Sequence, residues 1–334
     1  MSIPVVGFFN NKGGVGKTSL VYHLAWMYAD LRVPVLAADL DPQANLTASF
    51  FDEDFLEVLW GNDEGVGTAY GCVQPLARGL GDISRPEPLS PADYISVLAG
   101  DLRLSSFEGE LSSQWPEALD GRERAFRVLS AFWRLLQEAA KASRSTLILV
   151  DLGPNLGAIN RAALIATDYV VTPLSPDLFS LQGLRNLGPT FTRWRREWRD
   201  RLERKPRIEL ELPEGRMEPM GYVVLRHSVR LDRPVKAYDK WISRIPSDYC
   251  THVLDRSADT STTIRTDQRC LALLKHYRSL MPMAQEARKP VFHLKPADGA
   301  IGAHLQSAQD ARKDFKGLAL KILEKARIAL PVNS

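Results

Sequence analysis

The sequence predicts an α/β fold in which helices cover both faces of a doubly wound, mostly parallel sheet. Short apolar runs alternate with segments of helical periodicity, and residues 5–41 read as strand, glycine-rich loop, helix and strand. Strands that are separated by helices favour a parallel sheet buried on both faces. The runs that predict strands are 5–9, 33–41, 94–98, 146–150, 169–172, 221–225 and 271–274.

The connections between these runs differ in character. The first strand ends at a glycine-rich turn, and a helical pattern follows from residue 17 to about residue 31. Residues 51–90 are rich in Gly, Pro, Asp and Glu with weak periodicity, which predicts a loop-rich insertion at the sheet edge. Residues 204–219 and 255–267 are polar connections, and none of these segments resembles a linker between domains. We therefore expect one domain over residues 1–334.

Composition is that of an ordinary globular protein. The chain has 334 residues, of which 45% are hydrophobic and 25% charged, so it can bury a core without covalent staples. Its cysteines, Cys72, Cys250 and Cys270, are widely spaced, which argues against a disulfide framework or a zinc site. The sequence contains neither a charged-then-apolar leader nor an apolar run of about 18 to 20 residues. These features predict a cytoplasmic protein.

Charge is distributed unevenly along the chain. Residues 1–150 contain 12 Lys and Arg against 19 Asp and Glu, whereas residues 151–334 contain 31 against 21. The basic C-terminal half predicts a surface for a polyanion, such as nucleic acid or anionic lipid.

A glycine-rich stretch with the features of a phosphate-binding loop lies between the first predicted strand and the first predicted helix. Glycines let backbone N–H groups turn toward phosphates, and a helix N-terminus adds positive potential. A lysine neutralises phosphate charge, and a threonine hydroxyl can bind magnesium. The alternative is a glycine-rich turn without a ligand, which the lysine and threonine in register disfavour. The stretch comprises Gly13, Gly14, Val15, Gly16, Lys17, Thr18 and Ser19.

Carboxylates stand where two strands are predicted to end. Asp151 follows four apolar residues, at the end of a buried strand where open α/β sheets bind ligands, and is therefore a candidate magnesium carboxylate. Asp39 and Asp41 follow the second strand, next to the phosphate loop. Their alternative role is a turn or helix cap, since Asp-Pro pairs are common in turns.

Several segments together resemble the ParA/MinD family of deviant Walker A partition ATPases. They are KGGVGKTS at 12–19, DLDPQANLT at 39–47, LVDLGPNLGAINRAAL at 149–164 with the following ATDYVVTPLSP, LMPMAQEARKPVF at 280–292 and DGAIGAH at 298–304. The resemblance is least specific within 51–90 and 193–264. It implies a P-loop NTPase fold, ATP and Mg²⁺ as ligands, and hydrolysis of ATP.

The resemblance also implies roles for individual residues. Lys17 and Thr18 match the phosphate and magnesium positions. Asp41 matches the carboxylate that positions the attacking water, Asp39 lies in the same switch and is a candidate metal ligand, and Asp151 matches the Walker B carboxylate. The family often has an adenine-contacting asparagine after the strand at 221–225, whereas this chain has Arg226 and His227 there. Pro282 is the remaining candidate for an adenine wall.

Lys12, which precedes the first glycine of the loop, is implied by the resemblance to reach the phosphates bound by the partner in a nucleotide-sandwich homodimer. Positive charge supplied in trans can accelerate phosphoryl transfer by about 10³ to 10⁵. A lysine that arrives only on dimerisation would make assembly and hydrolysis one event. The alternative is a solvated loop lysine without a catalytic role.

Family members use the ATP-bound dimer to hold DNA or a membrane. We expect nonspecific DNA, which places the protein at the nucleoid, and a ParB-like or other site-binding or cargo-binding partner. Phosphate contacts are predicted from the basic run 193–207, whose alternative role is a solvated helix face over Trp194 and Trp198. The DNA-binding candidates after this run are Arg230, Arg233, Lys236 and Lys240.

A membrane is the alternative surface, as in MinD-like positioning ATPases. Phe315, Leu318, Ile322, Ala326 and Leu330 recur near helical spacing beside four lysines, which is typical of an amphipathic surface helix and equally of a last helix packed on the sheet. Two further classes fit less well. A metal-cluster protein of the same superfamily needs paired cysteines, and a noncatalytic scaffold would be expected to have lost Lys17 or Asp41.

Overall fold

The computed structural model describes residues 2–62, 65–207, 209–225, 240–259, 261–275, 277 and 279–330. The strands in this part of the chain are β1 (Val5–Phe8), β2 (Val35–Asp39), β3 (Leu89–Ala92), β4 (Ile95–Leu98), β5 (Leu147–Asp151), β6 (Tyr169–Leu174), β7 (Glu218–Leu225) and β8 (Cys270–Leu274). They form one sheet in the order β3-β4-β2-β5-β1-β6-β7-β8, in which only the β3–β4 pair is antiparallel.

Helices pack on both faces of the sheet, as the sequence predicts. They are α1 (Lys17–Asp30), α2 (Asn45–Phe50), α3 (Glu53–Gly61), α4 (Ala69–Ala77), α5 (Phe107–Glu117), α6 (Glu123–Leu129), α7 (Ala131–Ala142), α8 (Ala158–Ile165), α9 (Leu178–Leu202), α10 (Ile245–Asp248), α11 (Leu280–Ala287) and α12 (Ala303–Ala326). One apolar core lies under α1, α11 and α12, and a second lies under α4 to α10. The doubly wound α/β class is therefore confirmed. Within the described ranges, no helix combines the length and apolar character needed to cross a bilayer.

Parallel pairing at the centre of the sheet brings the predicted carboxylates together. β2 and β5 pair so that Asp39 lies opposite Asp151, and β1 pairs with β5 so that Phe8 also lies opposite Asp151. The strand interiors are fully buried because helices cover both faces. The phosphate loop that follows β1 and the carboxylates of β2 and β5 therefore meet at one edge of the sheet.

All seven predicted strands are present, but residues 51–90 contain more regular structure than their composition predicts. They include α3, which Asp52 caps by accepting a hydrogen bond from Phe55 N at 2.9 Å, and α4, which Thr68 caps by accepting from Gly71 N at 3.2 Å. Both helices bury a few apolar side chains, and Pro75 lies inside α4. Caps and tertiary contacts stabilise these two helices within the stretch expected to be rich in loops, and both are too short to give a clear periodicity.

β3 was also missed, and its position explains why. Its sequence, LSPA, contains no apolar run, and it lies half-exposed and antiparallel at the edge of the sheet. Proline is tolerated on an edge strand because it donates no hydrogen bond there.

The long helix α9 packs closely against a π-helical turn at Tyr249–Val253. A Cβ atom on Gly188 would lie 1.7 Å from the carbonyl oxygen of His252. We expect Gly188→Ala to lower the free energy of unfolding by about 3 kcal/mol, because helix and turn must move apart. Chemical denaturation measures this change.

Gly109, inside α5, provides the matched control. A Cβ there would have no neighbour within 4 Å among the described residues. Gly109→Ala is expected to stabilise the protein by about 0.5 to 1 kcal/mol, because alanine loses less backbone entropy in a helix. Equal effects of the two substitutions would contradict the packing argument.

Candidate nucleotide site

The turn between β1 and α1 lines a cleft of about 710 Å³ at the carboxyl ends of the parallel strands. All seven residues of the predicted phosphate loop, from Gly13 to Ser19, line this cleft. Gly14 and Gly16 have φ angles of 71° and 82°, a conformation that favours glycine. The first N–H groups of α1 have no intrahelical partners, so the loop and helix together can receive an anionic ligand.

Lys17 is buried at the base of the loop, with 7% of the residue exposed. Its Nζ atom donates to the carbonyl oxygen of Asn10 at 3.4 Å. Burial lowers the pKa of Lys17, and the negative charges of Asp151 and Asp41 oppose that shift. A buried ammonium with one long hydrogen bond has donors left for phosphate oxygens.

The carboxylates that end β2 and β5 have different partners. Thr18 Oγ1 donates to Asp151 Oδ2 at 2.6 Å, which brings two of the predicted metal ligands into contact. Asp39 Oδ2 instead accepts hydrogen bonds from the N–H and the hydroxyl of Thr47, both at 2.8 Å. Asp39 is thus tied to the first turn of α2 through its Oδ2 atom, and its role as a metal ligand stays a prediction.

Both carboxyl groups are fully buried, and this raises their pKa values. Burial raises the pKa of Asp151 to about 8, with a further contribution from the charge of Asp39. Burial likewise raises the pKa of Asp39 to about 7, although the hydrogen bonds from Thr47 oppose the shift. The Oδ1 atoms of Asp39 and Asp151 are buried without a hydrogen-bond partner in the described part of the chain. Two adjacent buried carboxylates, one bonded to a threonine hydroxyl, fit a divalent cation that prefers oxygen ligands.

Asp41 lies in the loop after β2 and lines the cleft. Its Oδ1 atom accepts a hydrogen bond from Gln43 N at 3.0 Å, and 8% of the residue is exposed. A Cβ on Gly153 would lie 3.2 Å from the same oxygen, so the loops after β2 and β5 are in close contact. The carboxylate is therefore held over the cleft, where a water molecule could be oriented.

Lys12 precedes the phosphate loop, and its side chain does not line the cleft. Its Nζ atom forms an ion pair with Asp177 Oδ2 of the same chain and lies 5.8 Å from the centre of the Phe179 ring. Its backbone N–H donates to Asn10 Oδ1 at 2.9 Å. The sequence reasoning missed Asp177, which lies 165 residues from Lys12.

An apolar pocket of about 120 Å³ adjoins the phosphate loop through Gly16 and Ser19. The ends of β7 and β8 line it with Leu225 and Leu274, and Met281 lines both this pocket and the cleft. Pro282 is exposed and lines neither. Arg226 and His227, noted above for the base contact, lie outside the described residues.

α11 contributes cleft residues that the sequence reasoning did not name. They are Met281, Ala284 and Gln285, followed by Arg288 and Lys289 just after the helix. The positions 281, 284, 285 and 288 share one face of a helix, so helical periodicity was the signal that could have found them.

The basic run 193–207 presents six of its eight Lys and Arg side chains to solvent, while its two tryptophans face the interior. Trp194 and Trp198 are buried in the core, as the alternative reading of this run proposed. Arg201 is 5% exposed, and its Nε atom donates to the carbonyl oxygen of Trp115 at 2.8 Å. Arg204 also donates to a backbone carbonyl oxygen, that of Leu119, at 3.0 Å. Arg201 and Arg204 therefore have structural partners, and the phosphate contacts predicted for this run stay a prediction.

The other DNA-binding candidates are mostly not described. Arg230, Arg233 and Lys236 lie outside the described residues. Lys240 is exposed, and its Nζ atom lies 5.0 Å from the centre of the Trp241 ring. An exposed lysine beside an aromatic ring is compatible with a contact to nucleic acid.

The C-terminal amphipathic pattern belongs to α12, which packs on the sheet. Phe315, Leu318, Ile322 and Ala326 are all at most 6% exposed and contribute to the core under this face, whereas Leu330 lies beyond the helix and is exposed. Lys321 donates to the carbonyl oxygen of Leu271 at 3.0 Å. The apolar stripe is therefore used inside the protein and is not presented to a membrane in this structure.

Comparison with known families agrees with this site. A family model described as an AAA domain matches residues 3–204, more than half of the chain. The chain belongs to this family. The matched residues include the phosphate loop, Asp41 and Asp151.

Curated relatives confirm the resemblance to ParA-type partition ATPases. The chromosome partitioning protein ParA of Caulobacter vibrioides is 30% identical over 202 residues, which cover 60% of this chain and 67% of that protein. The chromosome partitioning protein ParA of Myxococcus xanthus is 31% identical over 189 residues, covering 56% of this chain and 57% of that one. The chain thus spans little more than half the length of the latter relative.

A solved structure supports the fold over nearly the whole chain. A plasmid partition protein from Borrelia burgdorferi, bound to AMPPNP, aligns with a TM-score of 0.58 at 18% identity, covering 97% of this chain and 99% of that one.

Proposed function

We propose that this chain is a Mg²⁺-dependent ATPase whose ATP-bound homodimer holds DNA without sequence preference and positions a plasmid, a chromosome region or another cargo. The observation that carries the proposal is that Lys17 and Thr18 line one cleft, where the Thr18 hydroxyl donates to the buried carboxylate of Asp151. The relatives named ParA support a role in partition.

The phosphate loop would bind the triphosphate, and Lys17 would neutralise its terminal phosphates. The apolar pocket lined by Leu225, Leu274 and Met281 is the site that we assign to the base. Its apolar walls exclude water from one face of a planar ring.

Thr18 and Asp151 would hold the magnesium ion, which, when bound, supplies positive charge that stabilises the transferred phosphoryl group. Asp39 would offer its Oδ1 atom to the ion, because Thr47 occupies only its Oδ2 atom. Neutral carboxyl groups at Asp39 and Asp151 would become ionised as the cation binds.

Asp41 would orient the attacking water, since its carboxylate is fixed by Gln43 and lines the cleft. Lys12 would complete the site of the partner subunit and stabilise charge on the phosphoryl oxygens there. Hydrolysis would then require the dimer, and loss of the terminal phosphate would release the DNA. A ParB-like or other partner would connect this cycle to its cargo.

DNA retention tests the proposal. We expect the protein to bind plasmid DNA in the presence of ATP and Mg²⁺ but not ADP, and to lose at least about tenfold in affinity between 50 and 200 mM salt, because lysines and arginines release counterions from phosphates. Fluorescence anisotropy with duplexes of two unrelated sequences measures both effects.

A variant with Arg230, Arg233, Lys236 and Lys240 changed to alanine is expected to lose this binding while keeping ATP hydrolysis. Lys313→Ala combined with Lys316→Ala is the matched control on α12. DNA binding that does not depend on the nucleotide or on the salt concentration would rule out the proposed DNA surface. Flotation of the protein with anionic vesicles in ATP would instead favour the membrane alternative.

A further inference from the structure

We propose that Asp177 is a positioning residue that holds Lys12 within its own subunit, so that the ion pair must break before Lys12 can enter a partner's site. This inference rests on the proposed ATP-bound dimer. It adds an intramolecular competitor for the lysine on which that dimer depends.

Hydrogen bonds fix the backbone at Lys12, whereas the long side chain of Lys12 can change its partner. Asn10 accepts from the Lys12 N–H at 2.9 Å, and its own Nδ2 atom donates to the carbonyl oxygen of Pro173 at 2.7 Å. These bonds fix the backbone of the loop to the end of β6. The lysine side chain has four rotatable carbons beyond this anchor, so its ammonium can exchange partners without moving the backbone.

Asp177, in contrast, is fixed in place. It is the N-cap of α9, and its Oδ1 atom accepts a hydrogen bond from Ser180 N at 2.9 Å. Ser180 Oγ in turn accepts from Ser175 N at 3.1 Å. One carboxylate oxygen therefore serves the helix and the other, Oδ2, is presented to Lys12.

The residues around the Lys12–Asp177 ion pair indicate which partner covers it in the dimer. The side chains of Lys12 and Asp177 are 28% and 36% exposed, so solvent and a partner can reach both. Phe179 is 71% exposed and Leu178 is 43% exposed directly after Asp177. Exposed apolar side chains beside a lysine that is required in trans fit a second copy of this chain as the covering partner.

The size of the effect follows from the exposure of the pair. An ion pair that is this exposed changes an equilibrium by about two- to fivefold. A symmetric dimer breaks the pair in both subunits, so removing it is expected to raise the dimer association constant by about four- to twenty-five-fold.

Asp177→Asn removes the ion pair with Lys12 but keeps the N-cap of α9. Asparagine is as good an N-cap as aspartate, so α9 keeps its hydrogen bond while the negative charge is lost. Asp52→Asn makes the same change at the N-cap of α3, where the carboxylate accepts from Phe55 N. Sedimentation equilibrium with AMPPNP and Mg²⁺ should show tighter dimers for Asp177→Asn and unchanged dimers for Asp52→Asn.

A double variant and a labelling measurement complete the test. In a Lys12→Ala background, Asp177→Asn should give no further gain in association, because the pair is already absent. In the nucleotide-free monomer, labelling of the Lys12 amine, followed by mass spectrometry, should be about two- to fivefold faster in Asp177→Asn than in the wild type.

The possible failures are distinct. Wild-type protein that stays monomeric in AMPPNP and Mg²⁺ contradicts the proposed function, while faster labelling in Asp177→Asn would still support the intramolecular pair. Wild-type dimerisation that Asp177→Asn leaves unchanged, or a gain that persists without Lys12, overturns the inference alone.

Discussion

Lys12→Ala is expected to slow ATP hydrolysis by about 10³-fold while leaving binding of ATP to the monomer intact. The side chain of Lys12 does not line the cleft of its own subunit, whereas Lys17 and Thr18 do. Its charge would be needed only where the phosphoryl group is transferred, in the partner's site. Steady-state hydrolysis and equilibrium binding of a fluorescent ATP analogue separate the two effects.

Mixing two inactive variants gives a sharper test of action in trans. Lys17→Ala should not bind ATP productively but still offers Lys12, whereas Lys12→Ala binds ATP but offers no lysine. A mixed dimer has one complete site, in which the Lys12→Ala subunit binds ATP and its partner supplies Lys12, so the mixture should regain hydrolysis that neither variant shows alone. If the mixture stays inactive although mixed dimers form, Lys12 does not act across the interface.

Asp151→Asn is expected to lower Mg²⁺-dependent hydrolysis by at least about 10²-fold without unfolding the protein. The substitution keeps the size of the side chain and removes the carboxylate that accepts from Thr18. When hydrolysis is measured at increasing Mg²⁺ concentrations, Asp151→Asn should depend on the metal much less than the wild type does. Circular dichroism melting in EDTA measures stability on the same samples.

Stability should move in the opposite direction to activity. Burial raises the pKa of Asp151 from 3.8 to about 8 in the folded protein. Because the folded state holds this proton more tightly, wild-type stability from this group falls as the pH rises from about 4 to about 8. Asparagine does not titrate, so the stability of Asp151→Asn relative to the wild type should rise over that window and level off above it.

Asp168 provides the matched control for this pair of effects. It lies at the opposite ends of the strands, where its Oδ2 atom accepts from Val5 N at 2.9 Å, and burial also raises its pKa. Asp168→Asn should leave the Mg²⁺ dependence of hydrolysis unchanged. An equal loss of activity in both variants would mean that Asp151 acts through stability rather than through the metal.

Local chemistry was enough to predict much of the site. Gly14 and Gly16 adopt the left-handed conformations that the predicted phosphate loop requires. Lys17 and Thr18 line the cleft beside that loop. Asp151 ends its strand as the four preceding apolar residues predict. These features depend on residue type and spacing within one strand, one turn and one helix.

Elements that depend on weak or distant signals were harder to predict. α3 and α4 are short helices stabilised by caps and packing, and the edge strand β3 has no apolar run. Pro282 was placed at the base by resemblance, whereas Met281 from the same helix lines the pocket. A shift of one residue on a helix turns a side chain by about 100°, which periodicity resolves only when the helix ends are known.

The sequence by itself therefore determined the parallel α/β fold, the phosphate loop and the carboxylates at the strand ends, because each arises from contacts between near neighbours along the chain. Only the tertiary structure decided that Asp39 bonds to Thr47 while Asp151 bonds to Thr18, and that both carboxyl groups are buried. It also decided that Lys12 pairs with Asp177, 165 residues away. Burial and long-range pairing arise when parallel strands bring distant loops to one edge of the sheet. The residues on either side of a position in the sequence do not specify which distant loop it will meet.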